Sequence, residues 1–500
     1  MCSSDLGDGG DIRIGDEAPG RKPEHVVLNR SALTANADQG DGGAIFTPSD
    51  SYFKSPDSVV EATSRRGNDG TIEVTAPYLD LIGGLTVLPA NFLDASRWVK
   101  SPCDLQPAAR MSRFVHRESR DGIPQADDDW LPSAPPLIRR LLAREKAPEA
   151  GACQALLDRG DFAGVVERLS GSAGDPLYAA VSAHARMAMG HYRSALSALY
   201  AAPLRGETRR DPAVRALFQN LLADLQLCLG NLRGAIELQK KAVAEAEASR
   251  DPVLLSGALN QMGNVRAVAD NLDGAVQAYE RGLSVLSGVP DDGGLEAVLL
   301  LNQARARLAQ GREGDARRLL RRAAADPPRP AERYDAAANW ISLGMLRERL
   351  AAGRREENGP DDAGSAFGRA LSIGRRIQNH RILSTALGCQ GRLAEAEGRY
   401  DAALEKTRQA LGEAQAGYSP EILYQWQWQM GRLSRRTGDP AAAIFWVQSA
   451  IDVLNPIRWE YFNGLRDRKK TFDDHVRPVY IELTERSEER RVGKECRSRW

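Results

Sequence analysis

From about Pro135 the chain keeps one hydrophobic rhythm. Apolar residues recur three or four positions apart, as on the buried face of a helix, and short Gly/Asn/Asp turns break the runs. One kind of phrase marks each break: "MGHYRSALSAL", "LGNLRGAIELQ", "ADNLDGAVQAY", "AQGREGDARRLL", "AEGRYDAALEK" and "RTGDPAAAIFW". The small residue after each turn falls at Ala195, Ala235, Ala275, Ala316, Ala363, Ala403 and Ala443, at spacings of 40, 40, 41, 47, 40 and 40 residues. The longest spacing holds the insertion "GRREENGP", Gly353 to Pro360. Each unit predicts a helix, a tight turn and a second helix. The small residue lets the two helices approach, and Tyr279, Leu320 and Phe367 follow about one turn later on the same face. About seven units are expected over 137–455, with a partial copy at Arg159 to Leu169 as a cap. Such an array buries a continuous core, curls into a superhelix and presents a concave groove lined mainly by the first helix of each unit.

The pattern before this is different. Between Gly9 and Leu88 short apolar pieces ("DIRI", "VVL", "AIF", "SVV", "TIEV", "LTVL") alternate with turns, and no helical period is present. Ser31 to Thr47, "SALTANADQGDGGAIFT", aligns without a gap on Ser58 to Val74, "SVVEATSRRGNDGTIEV", 27 residues later, and a partial copy lies at Gly7 to Gly15. A repeat of this length with several short strands predicts coils stacked on one another, with Gly42-Gly43 and Asp69-Gly70 at turns. Residues 97–136, rich in Pro, Arg and Asp, read as a linker, and Asp127, Asp128 and Asp129 in it read as a solvated turn rather than a calcium loop.

Composition adds exclusions. Lys plus Arg and Asp plus Glu are 67 each, so no global charge points to nucleic acid or to an anionic membrane. The arginine run Arg317, Arg318, Arg321 and Arg322 lacks interleaved aromatics and reads as a solvated face. No apolar stretch reaches the roughly 18 residues of a membrane span, and no signal peptide is readable. Cys103, Cys153, Cys228 and Cys389 are far apart, with no zinc-site spacing, and the three in helical sequence read as buried thiols. The histidines, His25, His116, His184, His191, His380 and His475, are scattered; His184 and His191 read as two turns apart on one helix, with surface or packing roles rather than metal binding. His380 and Cys389 on one helix would stand about 13 Å apart, too far for a catalytic dyad. No catalytic, metal or cofactor-binding residue is assigned, and no cofactor is expected. Candidate partner-binding residues come from the inward positions of the first helices: Asn220, Asn260, Asn264, Trp428 and Arg432. Asn can hydrogen-bond the backbone of an extended peptide, and Trp and Arg are common interface anchors. Packing between units is the competing role for Trp426 and Trp428.

Several stretches resemble known families. The helical units resemble the tetratricopeptide repeat, "ALNQMGNVRAVADNLDGAVQAYERGL" (Ala258 to Leu283) most clearly. The segment 7–96, with "LTVLPANFLDAS" (Leu85 to Ser96), and "SRFVHRESRDGIP" (Ser112 to Pro124) resemble the C-terminal end of a filamentous-haemagglutinin-type exoprotein. That resemblance implies a right-handed β-helix, export through an outer-membrane two-partner secretion transporter, and a secreted or cell-surface location. The stretch Ile451 to Glu485 resembles the connector to a CHAT domain, a caspase-like cysteine peptidase, with 456–485 as the connector itself. "CSSDL" (Cys2 to Leu6) and "RSEERRVGKECRSRW" (Arg486 to Trp500) resemble translated sequencing-adaptor sequence, so an internal fragment is expected, with 1–6 and 486–500 as artefacts. The fold expected is therefore mixed and mainly α: a short right-handed β-helix piece, then an α-α superhelical array. The function expected is a non-catalytic scaffold of a bacterial adhesin-like protein that binds a protein or extended peptide. The alternatives are the substrate-recognition part of a CHAT-type peptidase and an intracellular scaffold.

Overall fold

The computed structural model describes residues 10–15, 22–29, 31–49, 51–54, 58–75, 78–79, 120–124, 129–171, 175–201, 211–325, 332–351, 363–458, 460 and 477–481. The two adaptor-like ends, Leu85 to Ser96, Cys103, His116, Asp127, Asp128, His475, the insertion at Gly353 to Pro360 and most of the 456–485 connector lie outside them. Two compact units divide the chain, Met1–His116 and Arg117–Trp500.

In the first unit the 27-residue repeat becomes strand register. The strands are β1 (Ile12–Arg13), β2 (His25–Leu28), β3 (Ala32–Thr34), β4 (Ile45–Pro48), β5 (Ser51–Lys54), β6 (Val59–Glu61), β7 (Ile72–Thr75) and β8 (Tyr78–Leu79). They form three parallel sheets, β1-β4-β7, β2-β5-β8 and β3-β6. Ile45 pairs with Ile72 and Ala32 with Val59, so each residue lies beside its copy one repeat later. Val26, Leu28 and Tyr52 form one small buried cluster and Ala35, Ile45 and Ala62 another. Polar side chains also bridge copies: Asn36 Oδ1 accepts from Thr63 N at 2.8 Å, and Asp41 Oδ1 from Asn68 N at 2.7 Å. At the turn, backbone meets backbone. A Cβ on Gly70 would sit 2.0 Å from the Gly43 carbonyl oxygen, which is why the Gly/Asn/Asp stretch repeats.

The second unit is helical. α1 (Ala134–Leu142), α2 (Pro148–Arg159) and α3 (Phe162–Arg168) precede seven hairpins. These are α4 (Pro176–Ala188) with α5 (Tyr192–Ala201), α6 (Pro212–Cys228) with α7 (Leu232–Ser249), and α8 (Pro252–Val268) with α9 (Leu272–Leu286). Then follow α10 (Leu295–Ala309) with α11 (Glu313–Ala325), α12 (Tyr334–Ala351) with α13 (Ala363–Ile377), α14 (His380–Ala396) with α15 (Tyr400–Ala416), and α16 (Pro420–Arg436) with α17 (Pro440–Ile457). The run matches the tetratricopeptide-like array that the spacing predicts, and "YQWQWQM" lies within helix α16.

Local chemistry sets the ends of these helices. Asp175, Asp211 and Asp251 cap α4, α6 and α8, and each is followed by a proline at the first helical position, where its missing N–H is no loss. Asn231 and Asn271 start α7 and α9 by accepting from the Gly234 and Gly274 amides. The small residues at the hairpin crossings are buried, Ala195, Ala235, Ala275, Ala316, Ala403 and Ala443 completely. Facing them, a Cβ on Gly263 would lie 2.2 Å from the Tyr279 ring and one on Gly344 2.4 Å from Phe367. In these two hairpins the large residue of the second helix thus fills the space left by a glycine on the first.

Two expectations change. The linker reading does not hold through residue 136: Leu131 is 6% exposed, Ser133 0% and Ala134 1%. Pro132 disfavours a helical Leu131, helix α1 begins at Ala134 with prolines in its first turn, and the array supplies partners for the Leu131 backbone. His184 and His191 do not share a helix; His184 is in α4 and His191 in the turn before α5.

Candidate functional site: the concave groove

First helices of successive hairpins pack side by side, α4 on α6, α6 on α8, α8 on α10 and α10 on α12, and their inner faces form the groove wall. The 40-residue period repeats one inward position, and it brings Asn220 and Asn260 to that wall, with Asn264 one turn further along α8. All three are buried, at 2%, 0% and 3% exposure.

What buries them is the chain's own segment. Asn260 and Asn264 donate through Nδ2 to the Leu131 carbonyl oxygen, at 3.1 and 3.0 Å. Asn302 of α10 completes the arrangement. Its Nδ2 donates to the same oxygen at 2.8 Å, while its Oδ1 accepts from the Leu131 amide at 2.8 Å. One side-chain amide therefore pairs both polar groups of one residue, as a neighbouring strand would. Asn220 donates to Ser133 Oγ at 3.3 Å, and Ser133 donates to the Gly257 carbonyl at 2.8 Å. The ladder is held from behind. Tyr279 Oη donates to Asn264 Oδ1 at 2.9 Å, and Arg305 reaches Asn302 Oδ1 at 3.2 Å and Ser342 Oγ at 2.8 Å. Burial pushes the Tyr279 hydroxyl well above its ordinary pKa, so it stays a donor. Trp130 stacks on Tyr279 with centroids 6.5 Å apart and has the Arg305 guanidinium 5.9 Å from its ring.

Helix α1 then docks along α4, α6 and α8. Its apolar face, Leu137, Ile138, Leu141 and Leu142, is at most 3% exposed. Leu137 enters the space of an absent Cβ on Gly257, 2.6 Å away. Arginines flank this face. Arg139 makes a two-pronged ion pair with Asp335 at 3.0 and 2.6 Å, and Arg140 and Arg144 meet Asp251 at 3.0 and 2.6 Å. Burial alone would raise the pKa of both aspartates, but the facing guanidinium groups outweigh it and hold each below the usual carboxylate range. The fit leaves a cavity of about 110 Å3 between segment and wall, bordered by Leu131, Pro132, Pro136, His184, Met187 and Asp335.

The sequence-selected residues thus fall into two places. Asn220, Asn260 and Asn264 come together in the groove but are already engaged by the chain itself, so in this structure they are not open to a foreign partner. Trp428 and Arg432 lie on α16, away from this clamp, with the Arg432 guanidinium 4.6 Å from the Trp428 ring and bonded to Glu395 at 3.1 and 3.0 Å. Trp426 is a packing residue, 2% exposed, with its indole N–H donating to Ser384 at 3.0 Å. Asn302, Arg305 and Tyr279 are the groove residues that the sequence reading does not single out for binding.

Elsewhere, residues 120–124 pin the start of this unit. Asp121 accepts from the Tyr192 and Arg193 amides at 2.6 Å each, and Arg120 pairs with Glu421 at 2.8 Å. His380 is exposed and bonded to Glu413 at 2.7 Å, whereas Cys389 is fully buried. Cys153 and Cys228 are buried as well. In the arginine run, Arg318 pairs with Asp315 and Arg322 with Glu296. Among the described residues no three His, Cys, Asp or Glu side chains are grouped to hold a metal, and no helix is long and apolar enough to cross a membrane.

No protein-family model matches the chain, and no curated protein matches it. Several solved structures are similar to it. A signal-transduction ATPase with numerous domains from Pyrococcus horikoshii, with a tetratricopeptide repeat sensor, is 14% identical over 68% of this chain and 54% of its own, with a TM-score of 0.44. A Rap protein complexed with competence and sporulation factor is 14% identical over 70% of this chain and 98% of its own, at a TM-score of 0.43. The apo form of RapI is 12% identical over 65% and 86%, at 0.41.

Proposed function

We propose that the chain is a non-catalytic protein–protein interaction scaffold whose groove reads an extended peptide by its backbone. One observation carries this reading: the buried amides of Asn260, Asn264 and Asn302 take both the N–H and the C=O of Leu131. Buried amides that satisfy a backbone this way are costly when left without a partner, so the wall is built for a strand-like occupant. The reading assigns no catalysis and no cofactor.

In the same reading the parallel coils of the first unit are the end of a right-handed β-helix of filamentous-haemagglutinin type. The intact protein is an adhesin-like surface protein exported by a two-partner transporter. The 27-residue parallel register supports a coil; the family, the export route and the surface location rest on sequence resemblance. A following CHAT peptidase, with the array as its substrate selector, rests on resemblance alone.

A random-peptide display library screened against the full chain tests the groove. Peptides that bind should do so at least about tenfold more weakly to Asn302→Ala, and Trp428→Ala should leave their affinity within about twofold. Peptides indifferent to Asn302→Ala and sensitive to Trp428→Ala would move the site to α16.

A further inference from the structure

We infer that residues 129–144 are a tethered stand-in for the groove's true partner, and that this partner carries a segment of the same chemistry: an extended aromatic-Leu-Pro-Ser/Thr stretch running into an amphipathic helix with arginines on its flank. The inference deepens the peptide-reading function and rests on it. Three features of the contact carry it.

The first is that the central grip is on backbone, so the asparagine clamp itself does not read the Leu131 side chain, which is buried beside it. Selectivity then falls to the neighbouring pockets. Trp130 stacks on Tyr279 and has the Arg305 guanidinium over its ring, which asks for an aromatic residue. Ser133 hydrogen-bonds the Gly257 carbonyl, which asks for a hydroxyl. Leu137 occupies a hole opened by Gly257, which asks for an aliphatic residue on the first turn of a helix.

The second is charge. Asp335 and Asp251 belong to the array; Asp335 meets Arg139 of the segment beside the array's own Arg333, and Asp251 meets Arg140 and Arg144 of the segment. The wall therefore selects a basic amphipathic helix and rejects an acidic one.

The third is that the segment is tethered at both ends beside the wall and leaves a partly open pocket along it. The cavity of about 110 Å3 runs beside Leu131, Pro132 and Pro136. Anchors on both sides, Asp121 at Tyr192 before it and α2 after it, keep the segment beside the groove. Tethering gives the segment an effective concentration in the millimolar range, which sets the affinity a free partner must exceed to displace it.

The test uses the full chain and the labelled peptide "DDDWLPSAPPLIRRLLAREK", residues 127–146, followed by fluorescence anisotropy. A variant with a weakened internal segment, Trp130→Ala with Leu131→Gly, should bind the peptide at least about tenfold more tightly than the wild type, because the tethered competitor is lost. Adding Asn302→Ala to that variant should reverse the gain by about tenfold. Equal affinity in wild type and variant overturns the inference, as does a concentration-dependent dimer in which two copies exchange the segment. If the variant fails to fold, hydrogen exchange in the wild type decides. The Leu131 amide should exchange at least about tenfold faster than the α8 core amide of Leu259; exchange at the same rate makes the segment part of the core and overturns the inference. A library peptide that needs Asn302 and binds wild type and variant equally leaves the peptide-reading function standing and removes only the displacement. Failure of every peptide on both forms removes both.

Discussion

Asn302 shows what a single position contributes and why counting misses it. Asn220 and Asn260 stand 15 residues before Ala235 and Ala275, and that shared offset makes them legible. In the next unit the spacing is 41, the same offset falls on Leu301, and the amide that completes the clamp is one residue on. The offset that finds Asn264 finds Arg305 in that unit, a residue that braces Asn302 and stands over the Trp130 ring. Trp428 and Arg432 share the same two offsets before Ala443, yet pair with each other and Glu395, since the offset fixes a helix face and the neighbours decide what that face meets. His184 gives a prediction at this scale. It is buried beside the cavity, in edge contact with Phe162, and burial lowers its pKa to about 4 from the ordinary 6.5. Between those values the unfolded chain binds the proton and the folded chain does not, so stability falls as pH drops from 6.5 toward 4. A shift of this size corresponds to on the order of 3 kcal/mol. Denaturant unfolding of the array at pH 5 and pH 7.5 should show a difference that shrinks in His184→Phe. An unchanged difference would place the pH dependence on other groups.

At the scale of elements, period was the readable quantity and occupancy was not. A spacing of 27 anticipated which strands lie side by side, because in a parallel stack each residue pairs with its own copy. Where the coils are less alike the offset drifts, to 26 between His25 and Ser51 and 33 between Ile12 and Ile45. The hairpins were legible for the same reason, with caps and small residues repeating at fixed places. Trp130 to Ser133 was not, because a short stretch ending in a proline-rich helix start has the same composition free in water or clasped in a groove; only the facing asparagines distinguish the two. The glycine turns offer a test. Gly70→Ala would drive a Cβ to 2.0 Å from the Gly43 oxygen, backbone that cannot swing aside. The variant should lose protection from proteolysis between residues 22 and 75 while its helical circular dichroism stays unchanged. Intact protection would mean that the two coils do not touch at that turn.

For the whole molecule, the segment 129–144 changes how the array holds together. In a plain solenoid each hairpin touches only its neighbours, and stability is a sum of local terms. Here α1 packs on α4, α6 and α8 together, α2 packs on α12, and Asn379 Nδ2 donates to the Arg159 carbonyl at 3.0 Å, so the inner elements link hairpins that are not adjacent in sequence. Leu131, Leu137, Ile138, Leu141 and Leu142 are at most 6% exposed, and full burial of each such side chain is worth about 1.5–3 kcal/mol as an upper estimate. Two truncations measure that linkage. A chain of residues 117–485 keeps the segment and should melt as one cooperative, strongly helical unit. A chain of residues 145–485 uncovers the asparagine clamp and the apolar wall, and it should melt lower by at least about 5 °C, over a broader range, as central hairpins loosen before terminal ones. Adding the 127–146 peptide to it should restore most of the lost melting temperature, since a ligand that binds only the folded form stabilises it by mass action. Equal melting of the two chains would show that α1 rests on the array without supporting it; a lower melting temperature that the peptide does not restore would show that the groove closes or rearranges once its own segment is gone.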